Sequence, residues 1–398
     1  MSGSARAWHS PARHSEPVPG AGSGSAPAQA KNRALNTAAT HRRRDAPQSD
    51  LPLALLLTDP SPNLRRLVLR ELMARPADDP EVRELDALRE SDALVSDLLR
   101  LQGTEGSWKG TDLGGTSGKP SLFATAHALL RLGYLGFGQE LAAVRRGVDW
   151  LLAAQRADGS WPLSQLAWPG RIDRDRETEG YAMIPLQTAL PLRALAACGC
   201  AEDARCERAY EWLLSKRLDE GAWPTGIASG VYGGVGGYRR LPGSRWGCRT
   251  NTTMALLCLA HHPRRRSEEP ARRALDLLLA RETRERENLG FEVARLIGAE
   301  TARGTLTYFA RFDLALILDL CVRVGAGASD PRVAALVEWI EEQQGTYGLW
   351  EYLPRPPASR WLTFDLLRSL SLLGRADAWV PLEPRLPHRA QPVRKRRY

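Results

Sequence analysis

Arg145–Trp161 reads RRGVDWLLAAQRADGSW. Its frame is Trp150, four residues, Gln155, three residues, Gly159, one residue, Trp161. The same spacings recur in Trp212, Arg217, Gly221 and Trp223, with Arg in the Gln slot, and in Trp339, Gln344, Gly348 and Trp350. Gln102, Gly106 and Trp108 keep the second half; Arg286, Gly290 and Glu292 are a worn copy that has lost its Trp. Five copies at one spacing make a repeat, and a repeat is read before any single motif. In each copy an apolar helix ends, the Gly supplies a left-handed turn, and the long polar side chain lies where it can cap loose backbone groups. The aromatic residues are therefore clamps between helices and not a catalytic box.

Around the clamps two kinds of helix alternate. Amphipathic outer helices are expected at about 81–101, 139–155, 203–217, 269–286 and 331–344. More apolar inner helices, as suits elements covered on most sides, are expected at about 120–132, 181–197, 250–261, 307–324 and 361–373. The last Trp, or its equivalent, falls at 108, 161, 223, 292 and 350, a period too long for tetratricopeptide, ankyrin or HEAT arrays. It suits two-helix hairpins closed into a ring. Three long connections, Pro162–Gly180, Pro224–Cys248 and Leu289–Thr305, follow the Gly-Trp turns and gather on one face, where function is expected.

The formal net charge of +9 sits in the two ends of the chain. Residues 1–50 and 381–398 hold thirteen basic and four acidic residues, and the middle is balanced. A nucleic-acid-binding fold would carry the positive charge itself, so no nucleic acid is expected on the folded part. Residues 1–49 are low in complexity and expected to be a disordered tail, with a basic C-terminal tail at 377–398. Residues 50–80, opening on Asp59-Pro60-Ser61-Pro62-Asn63, read as HEAT-like capping helices, and 81–376 as the ring domain. No signal peptide or transmembrane-length run is seen, and the six cysteines show no zinc spacing. The expectation is a cytoplasmic protein with reduced thiols, no metal and no cofactor.

The clamp resembles the QW motif of squalene-hopene and oxidosqualene cyclases, in the terpenoid cyclase/protein prenyltransferase superfamily. Arg146-Gly147-Val148-Asp149-Trp150-Leu151, Gln155 and Gly159-Ser160-Trp161 carry the resemblance, which covers about Glu81 to Gly374. It implies an all-α fold, a single α/α toroid of five to six helical hairpins. It also implies a hydrophobic, isoprenoid-like small molecule as partner, and a homodimer, a protein partner or the long loops closing the ring. The DxDD acid motif of class II cyclases is missing: the best positional match, Arg249–Ala255, holds Thr252 and no acid. What remains is Asp313 and Asp365, in the parallel units Phe312-Asp313-Leu314 and Phe364-Asp365-Leu366, as candidate acids, with His127 as a candidate base. Buried carboxylates are rare unless paired or functional. Tyr181, Glu179, Thr252, Tyr308 and Trp361, at inner-helix starts, are candidate ligand contacts. The reading is a terpenoid-cyclase-like toroid acting on or binding such a ligand, with metal-independent cyclisation or isomerisation if it is an enzyme. The alternatives are a non-catalytic scaffold for protein–protein interaction and a toroid lyase or hydrolase with a polar substrate.

Overall fold

The computed structural model describes residues 51–113, 118, 120–161, 184–224, 241, 244, 246–280, 284–301 and 309–373. Among these residues there are helices and two isolated bridges but no β-strand. Helices α1 (Leu51–Leu57) and α2 (Pro62–Leu67), which runs on as a π-turn over Val68–Leu72, open the ring. They are followed by α3 (Pro80–Leu88), α4 (Ala93–Leu101), α5 (Leu122–Tyr134), α6 (Ala142–Ala153) and α7 (Ile184–Ala197). Next come α8 (Ala204–Leu214), α9 (Arg249–His261), α10 (Glu269–Leu279), the short α11 (Phe291–Leu296), α12 (Leu314–Val324), α13 (Pro331–Glu342) and α14 (Ser359–Leu373). The expected outer helix over 81–101 is two helices, because Asp92 stops one and caps the next, its carboxylate accepting the Leu94 N–H.

The inner ring is α5, α7, α9, α12 and α14, each packed on the next. It closes where Tyr134 of α5 meets Trp361 of α14, ring centroids 5.9 Å apart. The outer helices α4, α6, α8, α10 and α13 lie behind. As expected, one clamp recurs in four of the hairpins. Trp108, Trp161, Trp223 and Trp350 are buried, and each indole N–H donates to the carbonyl ten residues earlier at 2.7–2.8 Å. Gln102 and Gln155 each donate both to the carbonyl of their turn glycine and to a carbonyl at the start of the next outer helix. Arg217 does the same work with a guanidinium, reaching Gly221 O at 3.4 Å and pairing with Glu269 at 2.7 Å. The turn glycines need both a positive φ and the missing side chain. At Gly106 (φ 97°) a Cβ would sit 2.4 Å from Arg146 O, and at Gly159 (φ 92°) 2.5 Å from Arg208 O.

The N-terminal helices close this ring. In the last clamp the helix standing where the next outer helix should be is α1: Pro52 packs on Gly348. Asp59 pairs with Arg360 at 3.2 Å, and Glu71 with Arg368 at 3.5 Å. Past α3, Arg89 donates to Leu135 O at 2.7 Å, at the end of the first inner helix. The segment thus bridges the last hairpin to the first.

Candidate functional site

The clamp has a part that the sequence hides. Thr125, Thr252 and Thr363, each on an inner helix, accept the backbone N–H of Trp108, Trp223 and Trp350, all at 3.0 Å. In the fourth hairpin the corresponding pair is Asp313 and Glu292, at 2.8 Å. Acids thus replace both Thr and Trp in one repeat, and this repeat is built differently. With no indole to dock on its own outer helix, the chain runs on as α11 into the ring. There the Glu292 carboxylate lies 2.7 Å from Arg193 of α7 and 2.7 Å from Arg295. Arg295 in turn lies 3.4 Å from His127 of α5, whose ring packs on Phe123. The connection Leu289–Thr305, expected to be a loop, therefore carries a helix that fills part of the ring interior.

Asp313, fully buried, accepts three backbone N–H groups: Gly290 at 3.0 Å, Glu292 at 2.8 Å and Ala315 at 3.1 Å. It caps α12 and pins the start of α11. The sequence sets Asp313 beside Asp365 by their shared Phe-Asp-Leu letters, but the register differs. Asp313 stands where Thr363 stands, so Asp365 lies two residues further into its helix.

Beside α11 the ring lines a part-open chamber of about 380 Å³. Its apolar wall is Leu67, Leu130, Val293, Leu296 and Leu316. Its polar wall is Glu71, Asp319, Arg323, Asp365 and Arg368, with Tyr134. Arg193, His261, Glu292 and Asp313 also face in. Three carboxylates converge on Arg368: Asp365 at 3.1 Å, Asp319 at 3.4 Å and Glu71 at 3.5 Å. Asp319 has a second partner, Arg323 at 2.6 Å.

The charges sort by partner. Burial opposes ionisation of Glu292 and Asp319, but the paired guanidinium groups outweigh it and hold both carboxyls down at about 2. For Asp365 burial wins over Arg368, and the nearby Asp319 charge adds to it, so its carboxyl rises to about 6. Burial lifts Asp313 to about 7 against the pull of its backbone donors. Burial, with Arg323 and Arg193 nearby, lowers His261 to about 3, so its imidazole is neutral near pH 7. The Tyr134 phenol is pushed well up by burial and by Asp365, and it faces that carboxylate without hydrogen-bond alignment.

The remaining sequence candidates separate. Trp361 is buried against Tyr134 beside the chamber. Thr252 is buried as the partner of the Trp223 amide. His127 reaches α11 through Arg295. Tyr181, Glu179 and Tyr308 lie outside the described residues, as do Pro162–Gly180 and the two tails. Tyr134, Asp319 and Arg193 were missed, whereas Arg368 is legible as an arginine near enough to pair with Asp365. The signal of the missed three was present: an acid, a phenol or a guanidinium near the end of otherwise apolar inner helices.

Residues 69–236 match the family model described as the squalene-hopene cyclase C-terminal domain. The chain is 29% identical over 129 residues to a squalene–hopene cyclase of Bradyrhizobium diazoefficiens, covering 32% of this chain and 18% of that one. It is 29% identical over 132 residues to a probable squalene–hopene cyclase of Sinorhizobium fredii, covering 32% and 19%. The chain thus spans about a fifth of the length of these curated relatives. Among solved structures, a protein from Actinoplanes is 19% identical, with 73% of this chain and 99% of that one covered and a TM-score of 0.31. The type II terpene cyclase MstE from Scytonema is 16% identical, with 70% and 95% covered and a TM-score of 0.29. The sequence matches and the ring of helices support a terpenoid-cyclase-like toroid superfamily for this chain.

Proposed function

We propose that this toroid binds a small isoprenoid-type ligand with a polar head in the chamber beside α11, and that Asp365 and Tyr134 form its proton-transfer pair. One observation carries the reading. Asp365 Oδ1 and the Tyr134 hydroxyl are buried atoms of chamber residues that make no aligned hydrogen bond among the described residues, Oδ1 having only an ion-pair contact with Arg368 at 3.1 Å. Each such atom costs about 1–3 kcal/mol, and a polar head would return the bonds. The apolar wall suits a short carbon chain, and about 380 Å³ lies at the small end of ligand sites. The sequence match to squalene–hopene cyclases favours an isoprenoid for that chain. A carboxyl near 6 suits general acid–base work close to neutrality. Protonating an unactivated alkene, for cyclisation or isomerisation alike, asks for a far stronger acid, so proton exchange with a heteroatom of the polar head fits this site better.

The test is thermal unfolding of the full chain with prenyl alcohols of increasing length, beside Leu130→Trp, which fills the chamber. A rise in melting temperature for one length class in the parent, lost in Leu130→Trp, is the expected result. No rise at any length would sink the reading. A second reading, a non-catalytic scaffold, is favoured by α11, which already fills part of the ring. Under it Asp365→Asn changes stability and no ligand response exists to be lost.

A further inference from the structure

The chamber is richer in acids than in bases. Five carboxylates face it: Glu71, Glu292, Asp313, Asp319 and Asp365. Three guanidinium groups face it, Arg193, Arg323 and Arg368, and Arg295 stands behind Glu292 as a fourth. The surplus is not spread evenly. Glu292 is served by two cations, at 2.7 Å each. On the opposite wall Glu71, Asp319 and Asp365 share Arg368, and only Asp319 has a second cation. Asp313 is held by backbone N–H groups alone among the described residues. Asp365 Oδ1, whose one contact is the shared Arg368 ion pair, and the Tyr134 hydroxyl make no aligned hydrogen bond among the described residues and belong to the same wall.

We infer that the polar head of the ligand is a cationic nitrogen, a primary or secondary ammonium, seated against Asp365 and Tyr134. An ammonium carries donors only. It would give Asp365 Oδ1 an aligned donor beside the Arg368 ion pair and a second donor to the phenol oxygen, and its charge would offset the acids of the wall. A carboxylate or phosphate head would instead add charge where three acids already share one guanidinium. The neighbours on every side fit this choice. Tyr134 on α5 and His261 on α9 are neutral, Asp319 and Arg323 on α12 offset each other, Glu71 comes from the π-turn, and Arg368 is on α14 itself. Burial raises the Asp365 carboxyl, and the nearby Asp319 charge adds to it.

The inference rests on the chamber reading above, and one experiment separates the two. A ten-carbon prenyl amine, the alcohol and the carboxylic acid of the same chain are titrated calorimetrically into the full chain at pH 8 and pH 5. At pH 8 the amine should bind at least tenfold tighter than the alcohol, and the acid weaker than either. At pH 5, with Asp365 largely protonated, the preference for the amine should shrink several-fold. Asp365→Asn should abolish it. Glu71→Gln, at the more exposed edge of the wall, should cut it two- to threefold and guards against a misfolded Asp365 variant. If alcohol and amine bind equally, or the acid binds best, the ammonium is refuted and the chamber stands. If none of the three binds, the chamber reading falls and the inference falls with it.

Discussion

The turns and the interior of this ring follow opposite rules. At the turns one solution is used again and again: Trp108, Trp161, Trp223 and Trp350 make the same indole bond at the same length. Inside, the inner helices offer the chamber different sets of groups: Tyr134 from α5, Arg193 from α7, His261 from α9, Asp319 with Arg323 from α12, and Asp365 with Arg368 from α14. Repetition marks what holds the ring together, and the break in repetition marks where something else is built. That break is the fourth hairpin, where Glu292 and Asp313 replace the Trp and the Thr and α11 enters the ring.

The largest effect should come where the two regions meet. Asp313→Ala removes an N-cap and strands two further buried N–H groups, an expected loss of about 4–6 kcal/mol in denaturant unfolding. A loss below that of an ordinary cap would show that α11 is not pinned by this carboxylate. Trp161→Ala should cost about 3–5 kcal/mol, the usual range for a buried aromatic. Trp223→Ala and Trp350→Ala should match it closely, and a wide spread among the three would break the equivalence of the turns.

Inside the ring, Arg368→Met leaves three carboxylates sharing no cation. The expected loss is about 2–4 kcal/mol at pH 8 and visibly less at pH 5, where protonation relieves the repulsion. An effect independent of pH would mean that Arg368 acts by packing.

The Asp365 carboxyl is raised from 3.8 to about 6 in the fold, so the native state holds this proton more tightly than the unfolded chain does. The resulting stability is present below the unfolded carboxyl range and is lost as pH climbs to about 6. Asp365→Asn should remove that slope, moving the variant-minus-parent stability by on the order of 3 kcal/mol in favour of Asn between pH 4 and 8. Parallel curves for the two proteins would refute a raised carboxyl.

The smallest effect returns to the turns. Arg217→Gln restores the residue used elsewhere in the clamp and loses only a half-exposed pair with Glu269, so a change within about 1 kcal/mol is expected.

The turns were legible in the sequence because their spacing is fixed at Trp, Gln, Gly and Trp. The threonines that complete them were not. Thr125 lies 17 residues after its Trp, Thr252 29 and Thr363 13, and a bond across a connection of variable length leaves no period. Helix α11 was missed because six residues show no periodicity and the worn clamp before it read as decay. Asp313 and Asp365 could be picked out as acids in apolar helices. Their different jobs could not, since matching letters said nothing about which one stood at the Thr position. The ionic wall was unreadable because Glu71, Asp319 and Arg368 come from three separate segments that only the closed ring brings together.

That closure also dates the seam. Asp59 and Arg360 are 301 residues apart, so the first helices leave the ribosome long before their partner exists. At about 5–20 residues per second the interval is on the order of 15–60 s, during which α1 and α2 can pack on each other and on α3 but the faces they turn to α14 stay uncovered. The ring cannot be completed from either end alone. Its birth ends where its wear should begin: the joint between α1, α2 and α14 is the last to form, and the natural place for hydrogen exchange to find the first opening.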